Sequence, residues 1–352
     1  MKNKKGLSSN ISFLLAIDIL LFAFLAIFPV FVNVFRMQIM AKCICYIVFA
    51  YSLDLLWGYV GLMSMGHAVF FGIGAYILAI GYSATDSVPA FMSNLGINEA
   101  PAIYGFLSHK PVAFFAALIV CGVVAGLLGA FLFSKKVNSV FFSLITFALA
   151  RVFTLLITNQ QQYTGGANGI TKIQTTLFVN KEIDKLPYYY ILLFIMILVY
   201  LFCRWLTGSK YGLILEAIRE NEDRMSFFGY DPTKFKIEIF VVSAVIAGLS
   251  GIMFATSQSF IGPSNIGIAA STSVLVWLAL GGRGNITGAT VGTLLVCWAE
   301  SIFSEQLMDY WNIIYGVMIL LIVFFMPKGI IGQLISVRYS KQAARKQNLD
   351  DK

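Results

Sequence analysis

The stretch that decides the fold reads YYYILLFIMILVYLFCRWL (residues 188–206), TGSKYGLILEAIRENEDRMSFFGYDPTKFK (207–236) and IEIFVVSAVIAGLSGIMFAT (237–256). Two apolar runs flank a segment that holds five of the chain's 25 Lys and Arg and five of its 17 Asp and Glu. An apolar helix of about 20 residues matches the roughly 30 Å thickness of the hydrocarbon layer of a bilayer. A charged, amphipathic segment between two such helices lies outside that layer, placed to touch a second molecule.

Working outward, the pattern recurs. Further apolar runs cover residues 11–35, 39–56, 59–81, 112–133, 140–157, 268–280, 289–303 and 311–326. With 59% apolar and 12% charged residues, the composition excludes a soluble globular domain. The runs at 268–280 and 289–303 are short, which fits either a tilted span or a helix that enters only partway. The expectation is an all-α, polytopic membrane bundle of 8–10 spans. It forms one membrane domain over residues 1–335, with the polar loop at about 207–236 and a basic cytoplasmic tail at 336–352. The first run is too long for a cleaved signal peptide and no small-x-small site follows it, so it reads as an uncleaved first span.

A net charge of +8 invites a nucleic-acid reading, but its distribution points elsewhere. In a ten-span arrangement with both termini cytoplasmic, 18 Lys and Arg fall inside and six outside, with Arg151 within a span. That excess is the positive-inside signature, and it places residues 207–236 in the cytoplasm. Segments 82–111 and 159–187 then lie outside. The five cysteines (Cys43, Cys45, Cys121, Cys203, Cys297) all sit in apolar runs without metal or disulfide spacing, and read as small apolar packing groups. His67 and His109 are too few to make a metal site.

Small residues recur at helical spacing: Gly122, Gly126 and Gly129; Ala244, Ala247, Gly248 and Gly251; Gly288 and Gly292. Such stripes let helix backbones approach closely where no hydrophobic force drives association. The run DLLWGYVGLMSMGH (54–67) breaks the apolar pattern with Asp54, three glycines, Ser64 and His67. Glycine-interrupted helix at membrane depth is tolerated beside protein or along a water-filled path. Two readings stay open: a translocation path, or an interfacial cap at Asp54 with His67 satisfying a carbonyl. Asp18, Arg151 and Glu300 are further intramembrane ionisable groups, each a functional candidate. GGRGNITG (281–288) lacks the Gly-Lys-Ser/Thr ending of a phosphate loop and reads as a flexible cytoplasmic turn. No nucleotide-hydrolysis motif occurs, so an ATP-driven process would use the ATPase of another polypeptide. Within the polar loop, EAIRENEDR (216–224) favours helix and Asp231-Pro232 closes it, while Phe227, Phe228 and Tyr230 beside the charges have the composition of a docking surface.

AIRENEDRMSFFGYDPTKFK with VVSAVIAGLSGIMF resembles the cytoplasmic coupling region of permeases in branched-chain-amino-acid-type ABC importers. DLLWGYVGLMSMGHAVFFGIGAY, TGGANGI, VWLALGGRGNITGATVG and FFMPKGIIG match the same family in the same order, over about residues 52–332. DLLWGY, FGYDP and VWLALGGRG look most like the second permease of urea importers, although Ser273 stands where that pattern often carries an acid. The resemblance implies a transport subunit without its own ATPase site or cofactor, ATP and Mg being held by partners. Those partners would be a second homologous permease, two cytoplasmic ATPase subunits and an extracytoplasmic binding protein, with membrane lipid around the bundle and no nucleic acid. It implies coupling to the ATPase through Glu216, Ala217, Arg219, Glu220, Arg224 and Gly229. Path or gate positions would be Asp54, Trp57, Ser64, His67, Thr164, Asn168 and Trp277, with no catalytic and no metal-binding residues. The cargo would be urea or a similar small, neutral amide, which hydroxyls, amides and backbone carbonyls suffice to bind. The alternatives are a zwitterionic branched-chain amino acid in the same machine, or an ion-coupled secondary transporter. A membrane-embedded enzyme would need a catalytic constellation that the isolated acids and two histidines do not supply.

Overall fold

The computed structural model describes residues 3–83, 88–93, 96, 101–135, 137–173, 183–306, 313, 316–317 and 329–333. The run at 311–326 and the tail at 336–352 lie wholly or largely outside these. The chain is a helical bundle: α1 (Asn3–Phe31), α2 (Val34–Asp54), α3 (Ala68–Ser83), short α4 (Ala90–Ser93) and α5 (Ala102–Leu107), α6 (Lys110–Ser134), α7 (Ser139–Asn159), short α8 (Gln161–Thr164) and α9 (Lys185–Gly208). It continues through α10 (Lys210–Glu220), α11 (Glu222–Phe227), α12 (Pro232–Gln258), α13 (Ile268–Gly281) and α14 (Ile286–Gln306). Among the described residues seven helical segments are long and apolar enough to cross a membrane, and Ala68–Ser83 and Ile286–Ile302 are shorter apolar helices.

Helices α2, α3 and α12 form the buried centre, whereas α1, α6 and α7 present apolar side chains outward. A helix that is apolar all round is stable only when surrounded. The centre is held by backbone-to-backbone approach. A Cβ added at Gly74 of α3 would meet Gly248 O at 2.2 Å, and one at Gly251 of α12 would meet Phe71 O at 1.9 Å. Only glycine permits that separation. The same device joins α13 to α14, where a Cβ at Gly292 would lie 2.2 Å from Trp277 O. The stripe Gly122–Gly126–Gly129 also faces α12 but meets it mostly through side chains at wider separations, Val245 at 3.4 Å and Val241 at 3.7 Å among them.

Three sequence expectations change. The run 39–56 is not ended at Asp54: the helix continues through a π-helical turn, Leu55–Tyr59, making one segment of 26 residues. The run 59–81 is not one helix, because residues 61–67 are non-helical and α3 begins only at Ala68. Gly61 takes a φ of +81°, a conformation side-chain-bearing residues avoid, and the exposed backbone is then satisfied laterally. Ser139 Oγ donates to Gly61 O (3.1 Å), Ser143 Oγ donates to Met63 O (2.6 Å), Met65 N–H donates to Thr146 Oγ1 (3.2 Å), and Ala68 N–H donates to Ser271 Oγ (2.9 Å). Third, Cys43 and Cys297 are not separate packing groups but form a disulfide between α2 and α14. They are 254 residues apart, so no local spacing could signal it. Cys45, Cys121 and Cys203 are free and buried, as expected.

At the end of the bundle away from α10, Ile170–Thr171 pairs antiparallel with Phe260–Ile261, in the register Ile170 opposite Ile261. Asp18 is buried on α1 and tied to two other helices. It accepts from Tyr200 Oη of α9 (2.5 Å) and Thr287 Oγ1 of α14 (2.8 Å), with Arg204 Nη1 at 3.7 Å. An acid in the bundle interior is thereby compensated rather than left to seek the interface.

Candidate functional site

The loop 207–236 folds as successive short helices because each start carries a cap. Ser209 Oγ accepts from Tyr211 N–H (3.2 Å) at α10, Asn221 Oδ1 from Arg224 N–H (2.9 Å) at α11, and Asp231 Oδ1 from Thr233 N–H (3.1 Å) at α12, where Pro232 occupies the first turn. Gly229, at φ +86°, closes α11: its N–H reaches Ser226 O (3.0 Å) and Tyr230 N–H reaches Met225 O (3.2 Å). Leu215, Ile218 and Met225 face inward, while Phe227 is 90% and Phe228 75% exposed. Burial and the neighbouring Glu238 carboxylate push the Tyr211 phenol above its ordinary pKa, keeping it a neutral hydroxyl against the start of α12. Lys236 pairs with Glu222, fastening α11 to α12.

One side chain of this hairpin enters the spanning bundle. Arg219 of α10 lays its stem on Gly61, where an added Cβ would come within 2.9 Å of Arg219 Cγ, and donates from Nη1 to Gly58 O in the π-helical turn. Gly58 is at the centre of a three-way meeting. A Cβ there would lie 2.3 Å from Asp54 Oδ1 and 2.4 Å from Gly284 N. Gly284, at φ +72° in the α13–α14 turn, donates its N–H to Asp54 Oδ1 (2.7 Å). Arg283 lies over the Trp57 ring, 5.5 Å from its centroid. The turn expected to be flexible is thus pinned to the end of α2 and lies against the projecting hairpin. Beside this junction a cleft of about 690 Å³ opens between α10–α11 and the α6–α7 connection, lined by Arg219, Glu220, Asp223, Asn138, Tyr230 and Lys236 among others.

The remaining candidates occupy two other levels. His67 is fully buried, its Nε2 3.1 Å from both Ser52 Oγ and Ser243 Oγ and its ring stacked on Phe49 at 5.8 Å. It ties the non-helical segment just before α3 to α2 and α12 rather than capping a backbone carbonyl. Ser64 and Trp277 are also buried, and Ser64 Oγ and Trp277 Nε1 have no hydrogen-bond partner among the described residues. At the far end Thr164 Oγ1 donates to Ile157 O (2.6 Å) and Asn168 is exposed in a 3-10 turn. The structure therefore brings Asp54, Trp57 and Arg219 together, with Glu220 alongside. It leaves Ser64, His67 and Trp277 in the buried interior and Thr164 and Asn168 at the opposite end. Glu216 and Ala217 are half-buried on α10, Arg224 exposed on α11. Sequence reading missed Gly284, Ser243, Tyr200 and Thr287, each distant in the chain from its partner.

Span-length helices interrupted by one capped, amphipathic hairpin whose arginine reaches back into the bundle define a polytopic helical permease. The chain belongs to the permease-component family of the branched-chain amino acid transport system, whose family model matches residues 35–323. It is similar to the probable branched-chain amino acid transport permease protein LivM of Methanocaldococcus jannaschii, 25% identical over 318 residues, or 81% of this chain and 90% of that one. It is similar also to the high-affinity branched-chain amino acid transport system permease protein LivM of Salmonella typhimurium, 24% identical over 333 residues, covering 86% of this chain and 71% of the relative. A second permease protein of that name and organism, LivH, is 22% identical over 300 residues, 82% of this chain and 91% of the relative. No solved structure matches the chain.

Proposed function

We propose that this chain is the membrane-spanning subunit of an ATP-driven importer, set in the inner membrane with both termini cytoplasmic. It works with a second, similar permease, two cytoplasmic ATPase subunits and an extracytoplasmic binding protein. The observation that carries this reading is the hydrogen bond from Arg219 of the projecting hairpin to Gly58 O, beside the bond between Asp54 and Gly284. Movement of α10–α11 is passed at that point to α2 and to the α13–α14 turn together. In this reading Glu216, Ala217, Arg219, Glu220, Arg224 and Gly229 form the segment seated in the ATPase, with Phe227 and Phe228 as its apolar contact. ATP and Mg stay on the ATPase. Asp54 and Trp57 act as an inner gate, Ser64, His67 and Trp277 belong to the path, and Thr164 and Asn168 stand at its outer mouth.

The cargo in this proposal is urea or a similar small neutral amide. In support, Ser64 Oγ, His67 Nδ1, Tyr76 Oη, Trp277 Nε1 and Thr293 Oγ1 are buried without partners among the described residues. All belong to uncharged groups able to meet a carbonyl or an amide. Each of the two buried carboxylates, Asp18 and Asp54, has one oxygen engaged within the bundle, while Asp18 Oδ1 and Asp54 Oδ2 have no partner among the described residues. A branched-chain amino acid is the second reading, favoured by the names of the relatives. Uptake of labelled urea and labelled leucine, at low external concentration in cells with and without the chain, separates them. Loss of urea uptake alone supports the first, and loss of leucine uptake alone moves the cargo to the second. Loss of neither overturns both.

A further inference from the structure

Arg151 lies on α7, eight residues from Asn159 and twelve from Ser139, so about 12 Å from the nearer end of the helix and 18 Å from the other. It is exposed, and it has no hydrogen bond or ion pair among the described residues. The flanking exposed surface is apolar: Leu144, Phe147, Val152, Leu155 and Leu156. The other outward faces look different. On α6, Phe115, Ile119, Val123, Leu127 and Phe131 form an unbroken apolar row, as befits lipid contact. Among the described residues Arg151 is the one exposed charged side chain more than two turns from either end of a span-length helix. Its side chain is shorter than the distance to either helix end, so the cationic head cannot reach the interface.

We infer that the α7 face centred on Arg151 is covered by the second permease, which supplies a carboxylate at the same depth. This inference rests on the two-permease reading above. A pair of copies meeting symmetrically on this face would bring Arg151 to Arg151, which like-charge repulsion opposes. A distinct partner removes that conflict, and the chain's similarity to two differently named permeases of one transport system in one organism fits such a pairing. The acid on the partner gives the arginine its counter-charge and makes the contact heteromeric.

The test is recovery of the second permease with this chain from membranes holding the full transporter, for wild type, R151K, R151A and R151E. Recovery is expected to fall about tenfold or more in R151A and R151E and to stay near wild type in R151K, since a desolvated charge pair is costly to break from one side. Insertion is checked by the level of each variant in the membrane and by its protease pattern. Restoration of R151E by an acid-to-arginine change at the matching depth of the partner would establish the pair. Undiminished recovery in R151E overturns the inference. So does intact recovery with loss of uptake confined to a carboxylate-bearing solute, which would make Arg151 a cargo contact. Self-association of this chain alone, abolished by R151E, overturns it in favour of a second copy. Failure of the wild-type chain to recover any second permease would instead overturn the two-permease reading itself.

Discussion

Replacing Arg219 by alanine should disconnect the projecting hairpin from the spanning bundle while leaving both intact. The guanidinium donates to Gly58 O and also faces Glu220 Oε1 at 3.1 Å. A hydrogen bond involving a charged group contributes about 1.5–3 kcal/mol. The Arg219 side chain is 36% exposed, so water competes and the lower end, about 1.5 kcal/mol, is the appropriate magnitude. That is roughly a tenfold shift toward hairpins that move without the bundle. Alanine is a good helix former, so α10 itself is not weakened. In vesicles reconstituted with the full transporter, R219A is expected to lower uptake per ATP hydrolysed about tenfold. The control is E220A: Glu220 is 74% exposed and its ion pair with Arg219 contributes about 0–1 kcal/mol, so coupling should change far less. Equal uptake per ATP in R219A and wild type, or an equal fall in E220A, would refute the argument that the Gly58 contact transmits the motion.

Two further expectations concern the bundle. Gly251→Ala would drive a methyl to 1.9 Å from Phe71 O, where neither backbone can yield cheaply, and should cost about 1–3 kcal/mol. Thermal unfolding in detergent should show that loss for G251A and none for G122A, whose added methyl meets Val245 at an ordinary 3.4 Å. Asp18→Ala leaves the Tyr200 and Thr287 hydroxyls without their shared acceptor, and at about 1–2 kcal/mol for each interhelical bond should lower stability by roughly 2–4 kcal/mol. An unchanged melting temperature in D18A would show that α1 is held by packing alone.

The sequence by itself determined that the chain is a polytopic helical membrane protein with one polar hairpin. Apolar runs long enough to cross the hydrocarbon, and a charged segment that cannot enter it, admit few other solutions. It also marked the close helix contacts, because Gly248 and Gly251 leave a groove visible in their spacing, and it set the caps at Ser209, Asn221 and Asp231, which are local chemistry. Only the tertiary structure decided which of the polar groups meet. Asp54 and Gly284 are separated by 230 residues, Arg219 and Gly58 by 161, and Asp18 and Thr287 by 269. No periodicity carries information over such distances. The bend at residues 61–67 was legible as a weakness in the helix, but its stability depends on hydroxyls from α7 and α13 that only packing brings alongside. Short-range steric and hydrophobic rules write themselves into neighbouring residues. Pairings between distant polar groups exist only once the helices have chosen their neighbours.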